Sequence, residues 1–352
     1  MNSRNKKVCI ICSLDRFANT VRPKKIKEFL EKNGYIVELI NTYSNKVNSR
    51  SSIMIRKIRR FFIPRLLRNY IFILEMKRRA IVLQKEITKR QPDVLICESE
   101  MDSYVLTKPM SCLKIFDCST PWVDELFYSG DLSNFAYKLL RRLELEIYRK
   151  SSYVAFHWDN YTNYVKKYIY KGKNLFILNW GCSPKEVKAK FKKTPRIVYL
   201  GKLDGYWINL ELLSRLSKIY EIDVYGAPEP PRELGLNYKG YVPITETDVL
   251  AEYQFGIVTL SNDRLRAHGF SAKHLEYMSY GLPVLTPEWR KDPRLEKYSI
   301  LYNEKNFLQK IEEYSSKDKW QKLSNMCFDK TKDWDWEKVL KPLVEIIERR
   351  LQ

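Results

Sequence analysis

Glycine and proline are scarce in this chain, whose 352 residues include 12 glycines and 15 prolines. Low-complexity and collagen-like chains are far richer in both, so these classes are excluded. No apolar run reaches about 18 residues, and the sequence therefore predicts no transmembrane helix. Acidic residues are also few, 42 against 63 basic ones, which leaves a formal net charge of +21. This charge points to a phosphate-rich partner: nucleic acid, an anionic membrane or a phosphorylated substrate.

The composition otherwise suits a globular protein of two domains. The residues are 44% hydrophobic and 13% aromatic, and a chain of this length buries about three quarters of the surface that its unfolded form exposes. At about 150 residues per domain, two domains are expected. The N-terminus passes from basic residues directly into a strand-like segment, without the run of about 7 to 15 apolar residues that a signal peptide needs. We therefore expect a cytoplasmic protein.

Seven cysteines are scattered through apolar segments, a pattern typical of reduced cytosolic thiols. Cys9 and Cys12 form a C-x-x-C sequence, but they lie in an apolar strand whose pleat directs them to opposite faces. No second Cys or His pair follows at zinc spacing. Core packing is therefore favoured over the alternatives, a metal or redox role.

Short apolar segments alternate with helical ones along the chain. In the first half the pattern predicts strands at 8–12, 35–40, 94–97, 113–116, 153–156 and 175–178, with helices at 23–33, 134–150 and 161–170. A lysine-rich connector at 180–194 interrupts it. The pattern then predicts strands at 196–200, 222–225, 255–260 and 283–285, and helices at 210–219 and 271–280. Alternation of this kind indicates parallel sheets covered on both faces.

This organisation predicts an α/β protein of two tandem, doubly wound, Rossmann-like domains whose strand ends face a cleft, where such proteins bind ligands. We place the domains at 1–180 and 181–332, with a C-terminal helix in 333–352 that packs back toward the first domain. Asp333, Trp334 and Asp335 match the letters Asp-x-Asp of a metal–nucleotide site. We interpret them as helix capping, because they lie in a helical region after the expected binding segment.

The most informative segment is 268–284, in which a glycine loop opens a helix that ends at a Gly-x-Pro turn. The free N–H groups and the dipole of a helix N-terminus favour a phosphate, and Lys273 adds a full positive charge there. Glu276 lies on the same helix face and can accept hydrogen bonds from a ribose. The alternative is a solvated Lys273 beside a Glu276 that only complements the helix dipole.

This segment, HGFSAKHLEYMSYGLPV, resembles the donor-binding helix of GT-B glycosyltransferases. Retaining families carry two glutamates eight residues apart, and here His268 stands in the first position and Glu276 in the second. The run from Ala272 to Glu276 is similar to the inverting xanthan glucuronosyltransferase type. The resemblance implies the GT-B fold, with Lys273 on the diphosphate of a UDP- or GDP-sugar, Glu276 on the ribose and His268 against the transferred sugar. It leaves a retaining or an inverting outcome open.

Weaker similarities precede this segment in the order that the family shows. The stretch 198–203 resembles the family's strand and Gly-[Arg/Lys]-Leu loop, 223–226 its next strand end, and 238–243 the part whose backbone contacts the base. Besides Lys273 and Glu276, the resemblance implies these donor-binding residues: Gly201, Lys202, Gly226, Tyr241, Val242, Gly269, Phe270, Ser271 and Ala272. Since Lys273 and the helix dipole can neutralise the phosphates, we expect no metal and no cofactor other than the nucleotide-sugar substrate.

An inverting enzyme also needs a general base, which must lie at a strand end of the first domain near the acceptor hydroxyl. The candidates at or after such strand ends are Asp117, Asp124, Glu98, Glu100 and His157. We favour Asp124, because the resemblance places the catalytic aspartate in an aromatic loop such as 120–125, and Asp117 comes second. Each candidate has a structural alternative: a capping aspartate, a helix-dipole partner or a hydrogen-bonded histidine.

The segment 46–79 holds eleven basic residues and one acid, Glu75. Apolar side chains recur in it at helical spacing: Ile55, Ile58, Phe62 and Leu66. The pattern predicts a helix with one apolar and one cationic face, which is typical of binding to anionic lipid headgroups. GT-B enzymes with polyprenyl-linked acceptors are similar in carrying such a surface on the N-terminal domain. The alternative is a basic helix that packs on the domain.

Together these observations predict a glycosyltransferase on the cytoplasmic face of the membrane, which moves a sugar from a nucleotide to a polyprenyl-linked or cell-surface glycan acceptor. Two alternatives stay open. A nucleic-acid-binding protein would use the same cations with stacking aromatics, although the sequence has no RNP-like, zinc-finger, KH or arginine-repeat pattern. A non-catalytic nucleotide-sugar binder would share the donor site and differ only in turnover.

Overall fold

A computed structural model describes residues 6–14, 21–42, 65–243, 248–269, 271–290 and 292–351. Residues 46–64 of the basic segment, the side chain of Leu66 and Phe270 of the glycine loop lie outside the described part. The chain divides into two compact units, the first formed by Met1–Asn179 with Val339–Gln352 and the second by Trp180–Lys338. Each unit is built around one parallel sheet of six strands.

The first sheet contains the apolar segments of the first half of the chain. Its strands are β1 (Lys7–Cys12), β2 (Ile36–Asn41), β3 (Val94–Cys97), β4 (Leu113–Cys118), β5 (Tyr153–Phe156) and β6 (Leu175–Ile177). They lie in the order β2-β1-β3-β4-β5-β6, and every neighbouring pair is parallel. All carboxyl ends therefore share one edge, where the polar side chains that follow the strands collect.

The helices of this unit each bury one face, and one of them has a side-chain cap at its start. They are α1 (Val21–Lys32), α2 (Arg65–Arg90), α3 (Trp122–Tyr128), α4 (Asn134–Lys150) and α5 (Asp159–Tyr168). In α4, the hydroxyl of Ser133 accepts a hydrogen bond from the N–H of Ala136 at 3.2 Å, which satisfies one of the unpaired N–H groups of the first turn. Leu140, Leu143 and Ile147 recur at three- and four-residue spacing on its buried face.

The second sheet repeats this architecture. Its strands are β7 (Ile197–Leu200), β8 (Ile222–Tyr225), β9 (Asn237–Tyr238), β10 (Phe255–Ile257), β11 (Val284–Pro287) and β12 (Ser299–Tyr302), in the order β12-β11-β10-β7-β8-β9 and parallel throughout. The helices are α6 (Leu210–Ile219), α7 (Arg264–Ala267), α8 (Ala272–Ser279), α9 (Phe307–Tyr314), α10 (Lys317–Thr331) and α11 (Trp336–Val339). The next helix, α12 (Lys341–Leu351), belongs to the first unit.

The two doubly wound parallel sheets confirm the predicted fold class, and some segments differ in detail. Residues 120–125, expected as a loop, open the helix α3, so Asp124 lies in a helical first turn, where its charge complements the helix dipole. A short 3-10 helix, Ser103–Thr107, follows β3. The expected long C-terminal helix is interrupted after α11, because Pro342 has no N–H to donate to a carbonyl four residues earlier.

The cysteines are free thiols, and six of the seven are buried. Burial raises the pKa of Cys9 to about 11 and that of Cys12 to about 12, so both stay protonated at neutral pH. Their place inside β1 agrees with the predicted core packing. Across the described ranges, no helix combines the length and the apolar character that crossing a membrane requires.

Candidate functional site

Glycine turns lie side by side at the carboxyl ends of β7, β8 and β9. Gly201 follows β7 with φ 149°, and Gly226 follows β8 with φ 156°. The N–H of Gly201 donates to the carbonyl of Tyr225 at 3.0 Å, and the N–H of Gly226 donates to the carbonyl of Gly240 at 2.9 Å. A Cβ on Gly226 would lie 1.8 Å from the carbonyl oxygen of Gly201, so a larger residue does not fit here. The two turns therefore pack closely against each other, which glycine at position 226 permits.

Lys273 reaches this edge from the first turn of α8. Its ammonium donates a hydrogen bond to the phenol oxygen of Tyr199 and lies 4.3 Å from the centroid of that ring. The side chain crosses Gly201, where an added Cβ would lie 2.2 Å from its Cε. Burial, together with the positive charge of Arg266, lowers the pKa of Lys273 to about 7. None of the carboxylates in the described ranges forms an ion pair with this ammonium, so an anion would stabilise it.

Two further cations lie over aromatic rings near Lys273. The Nζ of Lys202 is 5.5 Å from the Trp207 ring and 3.4 Å from the carboxylate of Asp204. Arg266, in α7, is buried, and its guanidinium lies 4.9 Å from the Tyr206 ring and 5.8 Å from the Trp207 ring. Its Nη2 donates to the Tyr206 hydroxyl at 2.7 Å. Cations held on an aromatic surface are suited to an anionic ligand.

Glu276 lies near the middle of α8, three residues after Lys273. Its carboxylate forms an ion pair with Lys185 at 3.6 Å. Burial raises the pKa of Glu276, and the neighbouring Lys185 acts in the opposite direction. A carboxylate held in this way can accept hydrogen bonds from the hydroxyls of a ligand.

The loop that opens α8 is fixed by a buried arginine. Arg290, just after β11, donates two hydrogen bonds to the carbonyl oxygen of Gly269, from Nε at 3.2 Å and from Nη2 at 3.0 Å. His268 ends α7, with its Nδ1 3.0 Å from the carbonyl oxygen of Arg264. Ser271 then precedes α8 and Ala272 begins it. Arg290 thus holds the backbone three residues before the helix start.

The remaining predicted donor residues follow β9. Tyr241 is exposed and Val242 is half-buried in the segment after Gly240, and the Tyr238 hydroxyl donates to the carbonyl of Gly226 at 2.9 Å. The structure therefore brings the turns at Gly201, Gly226 and Gly240 together with Lys273.

In the first unit, an ion-pair network crosses the carboxyl edge of the sheet. Asp117, in β4, accepts hydrogen bonds from Nε of Arg22 at 2.7 Å and from Nη2 at 3.0 Å, and it lies 3.0 Å from Nε2 of His157. Burial opposes ionisation of Asp117, but Arg22 and His157 hold its pKa well below the usual range. Burial and the charge of Asp117 raise the pKa of Glu98, which follows β3, well above its usual range. The protonated form of Glu98 is thus favoured next to an ionised Asp117.

Asp124 is buried and surrounded by hydrogen-bond donors. Its Oδ1 accepts hydrogen bonds from the Tyr137 hydroxyl at 2.8 Å and from Arg141, and its Oδ2 accepts one from the Tyr164 hydroxyl at 2.8 Å. The carboxylate is thus oriented by both its oxygens. A carboxylate that is held in one orientation can act as a general base, provided that one of its lone pairs is left to accept a proton from a ligand.

Glu100 follows β3 and is less tightly held. Its Oε1 accepts a hydrogen bond from the Ser119 hydroxyl at 2.9 Å, and burial raises its pKa. A carboxyl with a raised pKa is matched to proton transfer near neutral pH. The described residues contain no group of three or more His, Cys, Asp or Glu side chains that could hold a metal ion. The hydrogen bond between Asp335 and the N–H of Glu337, 2.9 Å long, agrees with the capping role predicted for that aspartate.

Tyr199, Arg290 and Arg22 were not predicted as site residues. Tyr199 and Arg22 contact the predicted residues Lys273 and Asp117 across 74 and 95 positions of sequence. No spacing pattern joins residues so far apart. Only Arg22 had a local signal. It precedes Pro23 at an expected helix start, and a charged side chain at such a place must be either exposed or paired.

Comparisons with known proteins were made by sequence and by structure. No family model matches the sequence, and a search of the curated proteins finds no match. The sucrose-phosphate synthase of Thermosynechococcus elongatus matches the structure with a TM-score of 0.75 at 12% identity, over 99% of each chain. A glycosyltransferase from Rickettsia africae ESF-5 matches at 0.61 and 11% identity, over 99% of each chain. HepE of Anabaena, solved with UDP and glucose, matches at 0.63 and 10% identity, over 98% of this chain and 100% of that one. The chain therefore has the GT-B fold, with one doubly wound parallel sheet in each of its two units.

Proposed function

We propose that this protein is a glycosyltransferase whose nucleotide-sugar donor binds at the carboxyl ends of β7, β8 and β9. The observation that carries the proposal is the setting of Lys273. Its ammonium has no carboxylate partner in the described ranges, lies beside the glycine turns and belongs to the first turn of the eight-residue helix α8. Free N–H groups, a helix dipole and a cation at one place are suited to a diphosphate.

Within this site, Lys273 and Lys202 hold the diphosphate, Glu276 binds the ribose hydroxyls, and the backbone of Tyr241 and Val242 contacts the base. The small residues let the donor approach the main chain: Gly201, Gly226, Gly269, Ser271 and Ala272. HepE has been solved with UDP-glucose as well as with UDP and glucose, which favours a UDP-sugar over a GDP-sugar. The cations supply the neutralisation that a metal would otherwise provide, so the donor is the only small molecule required.

Replacing Lys273 by Ala tests the donor site. The loss of a charged hydrogen-bond donor is expected to weaken the binding of UDP and GDP by about 1.5 to 3 kcal/mol, measured by isothermal titration calorimetry. Lys218→Ala, at an exposed lysine of α6, is the matched control and should bind as the parent does. If the parent and Lys273→Ala bind both nucleotides with equal affinity, Lys273 does not bind the diphosphate and the proposed donor site is wrong.

Turnover separates the enzyme from the alternatives. Release of UDP from UDP-glucose in the presence of a lipid-linked acceptor supports a transferase, whereas tight binding without release supports a non-catalytic binder. Binding of single-stranded RNA or DNA without any nucleotide-diphosphate binding would support the nucleic-acid alternative.

For the transfer itself we propose Asp124 as the general base, Asp117 as the second candidate and His268 as a contact of the transferred sugar. The oriented carboxylate of Asp124 supports the first choice. Glu100 is the reserve candidate, because burial raises its pKa. The similarity of Lys273 and Glu276 to the xanthan glucuronosyltransferase type favours inversion.

We also propose a polyprenyl-linked or other glycan acceptor at the cytoplasmic face of the membrane, with α2 against the anionic lipid. In its described part, the basic segment continues into α2, whose exposed side chains include large apolar ones at helical spacing: Leu67 (49%), Tyr70 (54%), Leu74 (48%) and Ile81 (50%). Exposed cations alternate with them: Lys77, Arg78, Lys85 and Lys89. An apolar stripe among cations fits an anionic headgroup layer.

A further inference from the structure

Two hydrogen bonds connect Lys273 to the backbone of the loop after β7. The Lys273 ammonium donates to Oη of Tyr199, and the Tyr199 hydroxyl donates to the carbonyl oxygen of Lys202 at 3.2 Å. Tyr199 is fully buried in β7. Since the phenol gives its own proton to the Lys202 carbonyl, its lone pairs are turned toward the ammonium.

We propose that Tyr199 is a positioning residue of the anion site, whose phenol oxygen holds the Lys273 ammonium over Gly201. The proposal rests on the nucleotide-sugar function proposed above. It adds a residue that lies outside the glycine loop and its helix.

The surroundings of Lys273 explain why such an acceptor matters. Burial disfavours the charged form, and Arg266 on α7 repels it. The hydroxyl of Tyr277, also on α8, accepts a hydrogen bond from the N–H of Leu200 at 2.8 Å and donates one to the carbonyl of Ile257 at 3.4 Å. Its hydrogen bonds therefore go to the backbone of β7 and β10. Lys202 and Asp204, on the loop after β7, pair with each other, and Glu276, on α8, pairs with Lys185. Among the described residues, the acceptor for the Lys273 ammonium is the phenol of Tyr199.

The proposal has a defined pH dependence. A diphosphate binds the ammonium and not the neutral amine, so affinity is full below the pKa of Lys273, about 7, and falls as the pH rises through it. A hydrogen bond to the charged form raises a lysine pKa. Removing the phenol oxygen therefore moves the fall in affinity to lower pH, by about 0.5 to 1 pH unit for one lost hydrogen bond.

The test compares Tyr199→Phe with Tyr302→Phe. Tyr302 is a matched control, because it is also buried in the same sheet and its hydroxyl donates to the carbonyl of Val258 at 3.0 Å. The first measurement is the rate at which a limiting acylating reagent acetylates Lys273, followed by peptide mass spectrometry from pH 6 to 8.5. Because only the neutral amine reacts, the rate reports the titration of Lys273 without any ligand. Circular dichroism and the melting temperature show that both variants fold.

The second measurement is the affinity for UDP-glucose over the same pH range. Each of its two phosphates has a single, strongly acidic hydroxyl, so neither titrates there. We expect the labelling curve and the affinity curve to move to lower pH in Tyr199→Phe and to stay in place in Tyr302→Phe. An unchanged labelling curve in folded Tyr199→Phe would overturn the role of Tyr199. If the labelling curve moves in Tyr199→Phe but the parent does not bind UDP-glucose, the proposed nucleotide site is wrong. The interaction between Tyr199 and Lys273 would still be supported.

Discussion

The two buried aspartates Asp117 and Asp124 of the first unit have different partners. Asp117 faces a guanidinium and a histidine, which hold its pKa well below the usual range despite burial. Asp124 faces Arg141 and two phenols. A buried carboxylate without such partners would be far less stable in its charged form. Both residues are therefore structural as well as candidate catalytic residues. The stability and the turnover of a variant must be measured separately to distinguish the two roles.

The first prediction concerns Asp124→Asn. If Asp124 takes the proton of the acceptor hydroxyl, turnover should fall by about 10²- to 10⁴-fold, while the affinity for UDP-glucose stays unchanged, because the proposed donor site belongs to the second unit. The free energy of unfolding should also fall by about 1 to 3 kcal/mol, since Arg141 loses a charged acceptor. Initial rates, calorimetry and urea unfolding measure the three quantities.

Tyr164→Phe is the control for this experiment, because it removes one donor and leaves the carboxylate in place. A folded Asp124→Asn variant with normal turnover would move the base elsewhere, and Glu100→Gln would be the next variant to assay.

Single residues could be predicted where local sequence carries the chemistry. Lys273 was predicted because a glycine loop and a helix start surround it within a few positions. Its partner Tyr199 looks like any aromatic residue of a buried strand, and only the pairing of β7 with β8 and β10 places its hydroxyl near the helix. Arg290 was missed for the same reason, since its acceptor is a backbone carbonyl that no side-chain pattern reveals.

At the scale of the element, the exposed stripe of α2 is the feature to test. We predict that changing Leu67, Leu74 and Ile81 together to Gln lowers binding to phosphatidylglycerol vesicles at least tenfold. Each of these side chains is about half exposed and would bury that part in the lipid, for roughly 1 kcal/mol each. Vesicle sedimentation at constant salt measures the change.

Leu308→Gln, at an exposed leucine of α9 in the second unit, should leave vesicle binding as it is. Vesicles of phosphatidylcholine alone should bind the parent weakly, because they lack the charge that the lysines and arginines require. Unchanged binding of the triple variant would place the membrane contact on another surface.

Elements with both a cap and an amphipathic pattern were predicted to the residue. The helices α4 and α6 each begin after a capping side chain, Ser133 and Asn209, and each carries a regular apolar face. Buried loops were the difficult cases. Val258 and Leu260 are buried like strand residues although β10 ends at Ile257, because an apolar run does not show whether it continues as a strand or as a covered loop.

At the scale of the molecule, the repeated alternation of strands and helices was enough to predict two doubly wound sheets. It could not supply the order of the strands, because that depends on contacts between distant segments. The structural comparisons supplied the GT-B fold, which the 268–284 segment had indicated by resemblance.

Removing α12 should unfold the first unit. Leu343, Ile346 and Ile347 of α12 are buried, and at about 1.5 to 3 kcal/mol each their loss is comparable to the whole stability of a typical domain. We therefore predict that, in a chain ending at Lys338, the first unit is unfolded. Limited proteolysis should leave a resistant fragment of the second unit, which still binds UDP.

A chain ending at Arg349 keeps these three apolar residues and should melt within a few degrees of the parent. If the chain ending at Lys338 melts in the same way as this control, α12 contributes little to the first unit.

Because the first unit contains both the earliest described strand and α12, its residues in α12 are synthesised only after those of the second unit. Domains usually fold in the order in which they leave the ribosome. Here the second unit is complete in sequence at Lys338, while the first still lacks α12. The second unit, which carries the proposed donor site, is therefore expected to fold first during translation. Until α12 has been synthesised, the first unit exposes part of its apolar core, a surface to which chaperones bind.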